Sequence, residues 1–254
     1  MNRRNVLRAS TALGAAGASA AVTGTVATAA SADPSAARTG ARTLRPGARP
    51  LRVHVVMFDG VEELDFAAPY DVFSAAGFFT DRAIDVRYVS ATGPGTVRAS
   101  YGTEIRVEHG WSPHQADILV VPGGGYARRD SPGVWAEIRR GTLPKALVAA
   151  ARRGLTISAV CTGTMILAAT GLTRNRPCTT HHKALADLEN QGGMLKNARV
   201  VDDGDLVTAG GITSGLDLAL WLVRRELGAN VATEVEAMLE YEARGTVWVP
   251  DGRR

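Results

Sequence analysis

The run Leu155-Thr156-Ile157-Ser158-Ala159-Val160-Cys161-Thr162-Gly163-Thr164-Met165-Ile166-Leu167-Ala168-Ala169 sets the tightest limit on the fold. Its first half is apolar and β-branched, the composition of a strand buried on both faces. Its second half has helical composition and stops at Gly171. A switch from strand to helix around one cysteine puts that cysteine at the C-terminal edge of a sheet and at a helix N-terminus. Strand-like and helix-like runs alternate through the rest of the chain. Residues 51–58 read as a first strand, Asp59-Gly60 as a turn, and 66–76 as a helix closed by Gly77. Residues 84–91 read as a second strand, 97–108 as a hairpin, and 117–121 as a short buried strand ending at Pro122-Gly123-Gly124-Gly125. An amphipathic helix is expected over 134–151, interrupted near Gly141 and Pro144. A hairpin with an Asp203-Gly204 turn follows over 199–209, then helices over 216–227 and 231–241. The order predicts an α/β fold, a mostly parallel, flavodoxin-like sheet sandwiched by helices.

The flanks read differently. Arg3-Arg4 with Leu7 resembles a twin-arginine export signal, followed by an uncharged stretch from Ala9 to Ala32 that ends in Ala30-Ser31-Ala32. Residues 1–32 are therefore expected to be a signal peptide, 33–50 a flexible linker, 51–245 the folded domain and 246–254 a C-terminal tail. The expectation is an exported protein with no stable membrane anchor after cleavage. The basic balance of the whole chain, 29 Lys+Arg against 25 Asp+Glu, comes from its first fifty residues. Those hold seven Arg and one acid, which leaves 22 bases and 24 acids for the rest. A domain with net charge −2 offers no general attraction for nucleic acid. The two cysteines, Cys161 and Cys178, are not expected to pair, and no Cys/His cluster has zinc spacing.

Four segments lie at or just beyond predicted C-terminal strand edges, where sites form in such sheets: residues 59–65, 122–125, 161–162 and 210–213. Cys161 would occupy a nucleophile elbow with Cys in place of Ser, and the helix dipole would favour its ionisation. It equally suits a small apolar place in a core. Asp65 is either a first-turn acid of its helix or an acid facing the Cys161 sulfur, pushed toward its protonated form by a thiolate. Gly123 and Gly124 would let backbone N–H groups approach a reacting centre, or simply form a turn. Thr162 would supply an N–H to a developing anion and a hydroxyl to water or substrate. His181 would act as a base or order its loop. The substrate pocket is expected near Phe66, Tyr126 and His181.

Five motifs occur in one order: Leu64-Asp65 with Pro69-Tyr70-Asp71-Val72-Phe73, Val121-Pro122-Gly123-Gly124, Val160-Cys161-Thr162-Gly163, Thr179-Thr180-His181, and Gly210-Gly211-Ile212-Thr213-Ser214-Gly215-Leu216-Asp217. Together they resemble the ThiJ/PfpI superfamily on the class I glutamine amidotransferase-like fold, from Val53 to Tyr241, and within it the isonitrile hydratase branch. The resemblance implies an elbow cysteine at Cys161, a partner acid at Asp65 where many relatives carry Glu, Thr162 in the site, and a homodimer. It implies hydration of a small isonitrile to an N-substituted formamide without metal or organic cofactor. Thr162 stands where the peptidase branch has His, and the chain ends before the helix-turn-helix domain that related regulators carry. Glyoxalase- or deglycase-like action on reactive aldehydes, and a non-catalytic role as a redox sensor or ligand-binding protein, are the alternatives.

Overall fold

The computed structural model describes residues 49–251. The expected signal peptide and nearly all of the expected linker lie outside the described residues. The described chain runs β1 (Leu51–Val56), α1 (Glu63–Ala76), β2 (Ile84–Ser90), β3 (Gly95–Arg98), β4 (Glu104–Val107), β5 (His109–Gly110), β6 (Ile118–Val121), α2 (Val134–Arg140), α3 (Thr142–Ala150), β7 (Thr156–Ala159) and α4 (Gly163–Ala169). It continues through β8 (Pro177–Cys178), α5 (Leu185–Asn190), β9 (Met194–Leu195), β10 (Val200–Asp202), β11 (Leu206–Ala209), α6 (Ser214–Leu227), α7 (Ala229–Leu239) and β12 (Val247–Trp248).

Eight of these strands form one sheet in the order β12-β10-β11-β7-β6-β1-β2-β5, with β10 and β11 its antiparallel neighbours. β1, β6 and β7 are buried over nearly their whole length, because helices cover both faces. α1, α6 and α7 pack together in one layer, while α2, α3, α4 and α5 form a connected set on the other. The parallel centre reads second strand, first strand, then three successive later strands, the flavodoxin-like order. Its order reverses beside β1, so the loops after β1, β6, β7 and β11 open along one edge.

Departures from the sequence reading are local. The helical stretch over 134–151 is interrupted at Gly141, which adopts φ +74, as expected, but it runs on through Pro144 within α3. α1 begins earlier than expected because the Glu62 side chain caps it, accepting from Asp65 N–H at 2.9 Å. Val247–Trp248, assigned to the tail from sequence, pair in parallel with β10. Among the described residues, no helix is long and apolar enough to cross a membrane.

His54 gives the centre of the sheet an acid weakness. It lies on β1, is almost fully buried, and its Nδ1 has no hydrogen-bond partner. Burial and then the Arg87 charge push its pKa down to about 4. The unfolded chain binds this proton near pH 6.5 and the folded chain does not, so stability falls as pH drops from 6.5 toward 4. The loss by pH 4 is expected to reach up to about 3 kcal/mol. A His54→Met chain should lose less over that window; urea midpoints at pH 7 and pH 4.5 that shift equally in both chains would refute the assignment.

Candidate active site

Cys161 stands between β7 and α4 at φ +56, a left-handed conformation that a side chain adopts only when its surroundings hold it. They do so at both ends. Cys161 N–H donates to Gly210 O at 2.8 Å, and the Thr180 hydroxyl donates to Cys161 O at 2.8 Å. The residue is buried, 5% exposed. Ile212 N–H, Thr162 N–H and the Thr162 hydroxyl lie near enough to its sulfur to favour the charged form, without a hydrogen bond of regular geometry. Ile212 is itself at φ +38, so two left-handed non-glycine residues meet at one sulfur atom.

Asp65 comes from the helix that follows β1, at the same edge of the sheet. It lies in the first turn of α1, but Glu62 does the capping, and the wholly buried Asp65 carboxyl turns to other partners. Oδ2 accepts from Gly123 N–H at 2.9 Å. Oδ1 meets no donor of regular hydrogen-bond geometry, yet the Cys161 thiol is close enough for each group to act on the other's charge. Burial, reinforced by the Glu62 charge, raises the Asp65 pKa well above the usual carboxylate value; the Gly123 N–H opposes this. The expected direction is right and the expected cause is not: burial leads, and the thiol pulls the other way.

Ionisation of Cys161 departs from expectation. Burial, and then the negative charge of Asp65, push the thiol up to about 12. α4 is only seven residues long, and the donors at the sulfur do not outweigh the missing water. The part of the opposition that comes from Asp65 vanishes when Asp65 holds the proton. The pair therefore favours one negative charge at most, shared with a proton.

Gly123 and Gly124 bring β6 against the site, but their amides are not open to a ligand. Gly123 N–H serves Asp65 and Gly124 N–H donates to Thr162 Oγ1 at 3.1 Å. These amides position the acid and the threonine instead of meeting an oxyanion. A side chain on Gly124, at φ +138, would place its Cβ 2.1 Å from Gly60 O. Gly124→Ala is therefore expected to cost about 3 kcal/mol or more, read as a lowered urea midpoint, since neither the clash nor the φ can relax alone.

His181 is half-buried beside this cluster. Its Nδ1 accepts from Lys183 N–H at 3.2 Å, and its ring covers Gly211, where a Cβ would lie 2.3 Å from His181 Cδ2. Burial, then His182 and Lys183, lower its pKa. Phe66, expected at the pocket, is 5% exposed and packs edge-on against Tyr88 in the core, 5.7 Å between centroids. Tyr126 instead stacks on Trp135 and hydrogen-bonds Asp187. Ile212, Thr180 and Glu62 are contributors that the sequence reading did not single out, although all three lie in or beside segments it marked. Both cysteines are free, and among the described residues no group of His, Cys, Asp or Glu is placed to hold a metal ion.

The model of the DJ-1/PfpI family matches residues 51–225. The chain belongs to that family. The match takes in Asp65, Gly123, Cys161, Thr162, His181 and Ile212, so the whole cluster lies within the shared DJ-1/PfpI domain. An isonitrile hydratase from Pseudomonas putida is 29% identical over 192 residues, covering 75% of this chain and 78% of that one. A Parkinson disease protein 7 homolog from Danio rerio is also 29% identical, over 74% and 96%. A ThiJ/PfpI family protein from Pseudomonas syringae shares the fold at TM-score 0.66 and 22% identity, covering 81% of this chain and 78% of that structure. The DJ-1/PfpI fold is compatible with cysteine-based catalysis and with redox or ligand-binding roles.

Proposed function

We propose that Cys161 and Asp65 form the working pair of a site for a small electrophilic carbon, with Cys161 as a nucleophile on an elbow. The observation that carries this is the meeting of a wholly buried carboxyl, with one oxygen free of regular hydrogen bonds, and a cysteine held at φ +56 beside Ile212 and Thr162. When Asp65 holds the shared proton, the sulfur carries the charge and Ile212 N–H, Thr162 N–H and the Thr162 hydroxyl stabilise it.

On a small isonitrile the sulfur attacks the terminal carbon, forming the C–S bond. The electron pair that develops on that carbon takes the Asp65 proton, which gives a thioimidate. Asp65, now a carboxylate, accepts a proton from water as the water oxygen bonds to the same carbon. The second water proton moves to nitrogen as the C–S bond breaks. The products are the N-substituted formamide, free thiolate and protonated Asp65. The resemblance to the Pseudomonas putida hydratase supports this substrate.

The equal identity to the Danio rerio protein supports the wider class of cysteine chemistry more than any one substrate. A second reading therefore keeps the pair and exchanges the substrate for a reactive aldehyde, or keeps only oxidation or ligand binding at Cys161. Supplying an aryl isonitrile and methylglyoxal separately to the reduced protein decides among them. Formamide production supports hydration. Methylglyoxal loss without formamide moves the assignment to the aldehyde, and turnover of neither moves it to sensing or binding. We further propose that the protein works as a homodimer outside the cytoplasm, delivered by the twin-arginine signal.

A further inference from the structure

A groove opens beside the cysteine. Basic side chains of His181, His182, Lys196 and Arg199 line it together with Thr180 and Ile212, and no Asp or Glu does so among the described residues. Three contacts join it to Cys161. Thr180 holds the Cys161 carbonyl, Ile212 N–H lies near the sulfur, and Gly210, also on the groove wall, accepts the Cys161 N–H. Asp65, the acid that acts on the sulfur, and Glu62, which caps its helix, are not part of its lining.

The basic groups differ in availability. Arg199 is committed to the buried Asp217, through Nε at 2.9 Å and Nη2 at 2.5 Å, and its Nη2 also reaches Thr213 Oγ1 at 3.2 Å. Its charge is balanced inside the protein. Lys196 is half-buried, and its ammonium sits 5.0 Å from the centroid of the Trp248 ring. An aromatic face steadies a cation without neutralising it. The Nδ1 of His181 is occupied as an acceptor by Lys183 N–H, so in the neutral ring Nε2 carries the hydrogen and is a donor.

We propose that this groove receives the non-reacting end of the substrate and selects electrophiles that carry a carboxylate or an equivalent monoanion, with Lys196 as its counter-charge. The inference rests on the reading of Cys161 as the nucleophile and adds the substrate's chemical class to it. A cation with no ion-pair partner among the described residues, in a groove that no described carboxylate lines, raises the local concentration of anions and disfavours cationic electrophiles.

The test compares two alkylating reagents of nearly the same size, iodoacetate and iodoacetamide, in their rates at Cys161 of the full chain, read by peptide mass mapping. The ratio of the anionic to the neutral rate reports the field in the groove and cancels differences in thiol reactivity. Lys196→Met is expected to lower that ratio about fivefold at low salt, Lys196→Arg to retain it, and added salt to narrow the difference. Lys145→Met, which removes the same charge from α3, should leave the ratio where it is. An unchanged ratio in Lys196→Met, or an equal fall in Lys145→Met, overturns the anion assignment while leaving the nucleophile standing. If iodoacetamide itself does not modify Cys161 in the wild-type chain, the nucleophile reading fails, and the substrate class fails with it.

Discussion

A Cys161→Ser chain should fold as the wild type does and lose formamide production by at least about 10³-fold. Serine fits the space and can accept from the same donors: Ile212 N–H, Thr162 N–H and the Thr162 hydroxyl. Its hydroxyl, however, is far harder to ionise than a thiol. The same burial that pushes the cysteine up to about 12 would act on the alkoxide as well. The Asp65 carboxyl could not compensate, because it is itself held toward its protonated form. Thermal unfolding within about 2 °C of wild type would show that the loss is chemical, since that shift corresponds to less than about 1 kcal/mol in a domain of this size. Cys178→Ser provides the contrast. Cys178 is a fully buried thiol that burial pushes up to about 11, packed where a Cβ on Gly193 would meet its sulfur at 2.8 Å. That substitution should leave turnover within about twofold, the range of surface and distant core changes. Retained turnover in Cys161→Ser would remove the nucleophile from the proposal.

Much of this was legible because parallel strands covered on both faces leave a plain signature. β6 is unbroken Ile, Leu and Val, β1 and β7 set Leu, Val, Ile and Ala among Arg52, His54, Thr156 and Ser158, and each run stops where a loop must carry the chain back across a face. Those stops put residues 59–65, 122–125, 161–162 and 210–213 on one edge before any contact was known. The missed elements are short. β8 and β9 have two residues each and α5 has six, too few for a period to appear, and β8 and β9 exist through backbone bonds such as Met194 N–H to Arg176 O at 2.9 Å. At the site, residue types pointed to Cys161, Asp65 and Thr162, whereas the protonation of the pair depends on how much water the folded chain excludes. No local pattern carries that quantity. Ile212 acts through its N–H alone, so its side chain gives no sign of the role. Gly123 and Gly124 show the converse: their lack of side chains was readable, but the partners of their amides were set by α1 and α4.

Asp65→Asn should separate what Asp65 does for stability from what it does for chemistry. An acid whose folded pKa lies above its unfolded value holds a proton that the unfolded chain releases, so stability falls as pH rises from about 3.8 through the folded value. At neutral pH the buried carboxyl is therefore a cost to the fold, and the nearby Glu62 charge adds to it. Asparagine removes the titration and keeps an oxygen to accept from Gly123 N–H in place of Oδ2. The variant is expected to be more stable at pH 7 by about 1–2 kcal/mol, the usual size of a gain won by relaxing a functional site, with the gain disappearing below pH 4. Turnover should fall by about 10²–10⁴-fold, because the amide cannot give its proton to the carbon or take one from water. The thiol should also ionise more readily once the Asp65 charge is gone, which the pH profile of iodoacetamide alkylation reads directly. This combination is diagnostic: a more stable protein with a more reactive cysteine and little turnover means the acid serves the reaction at the fold's expense. A less stable protein with turnover intact would instead make Asp65 a structural acid of α1.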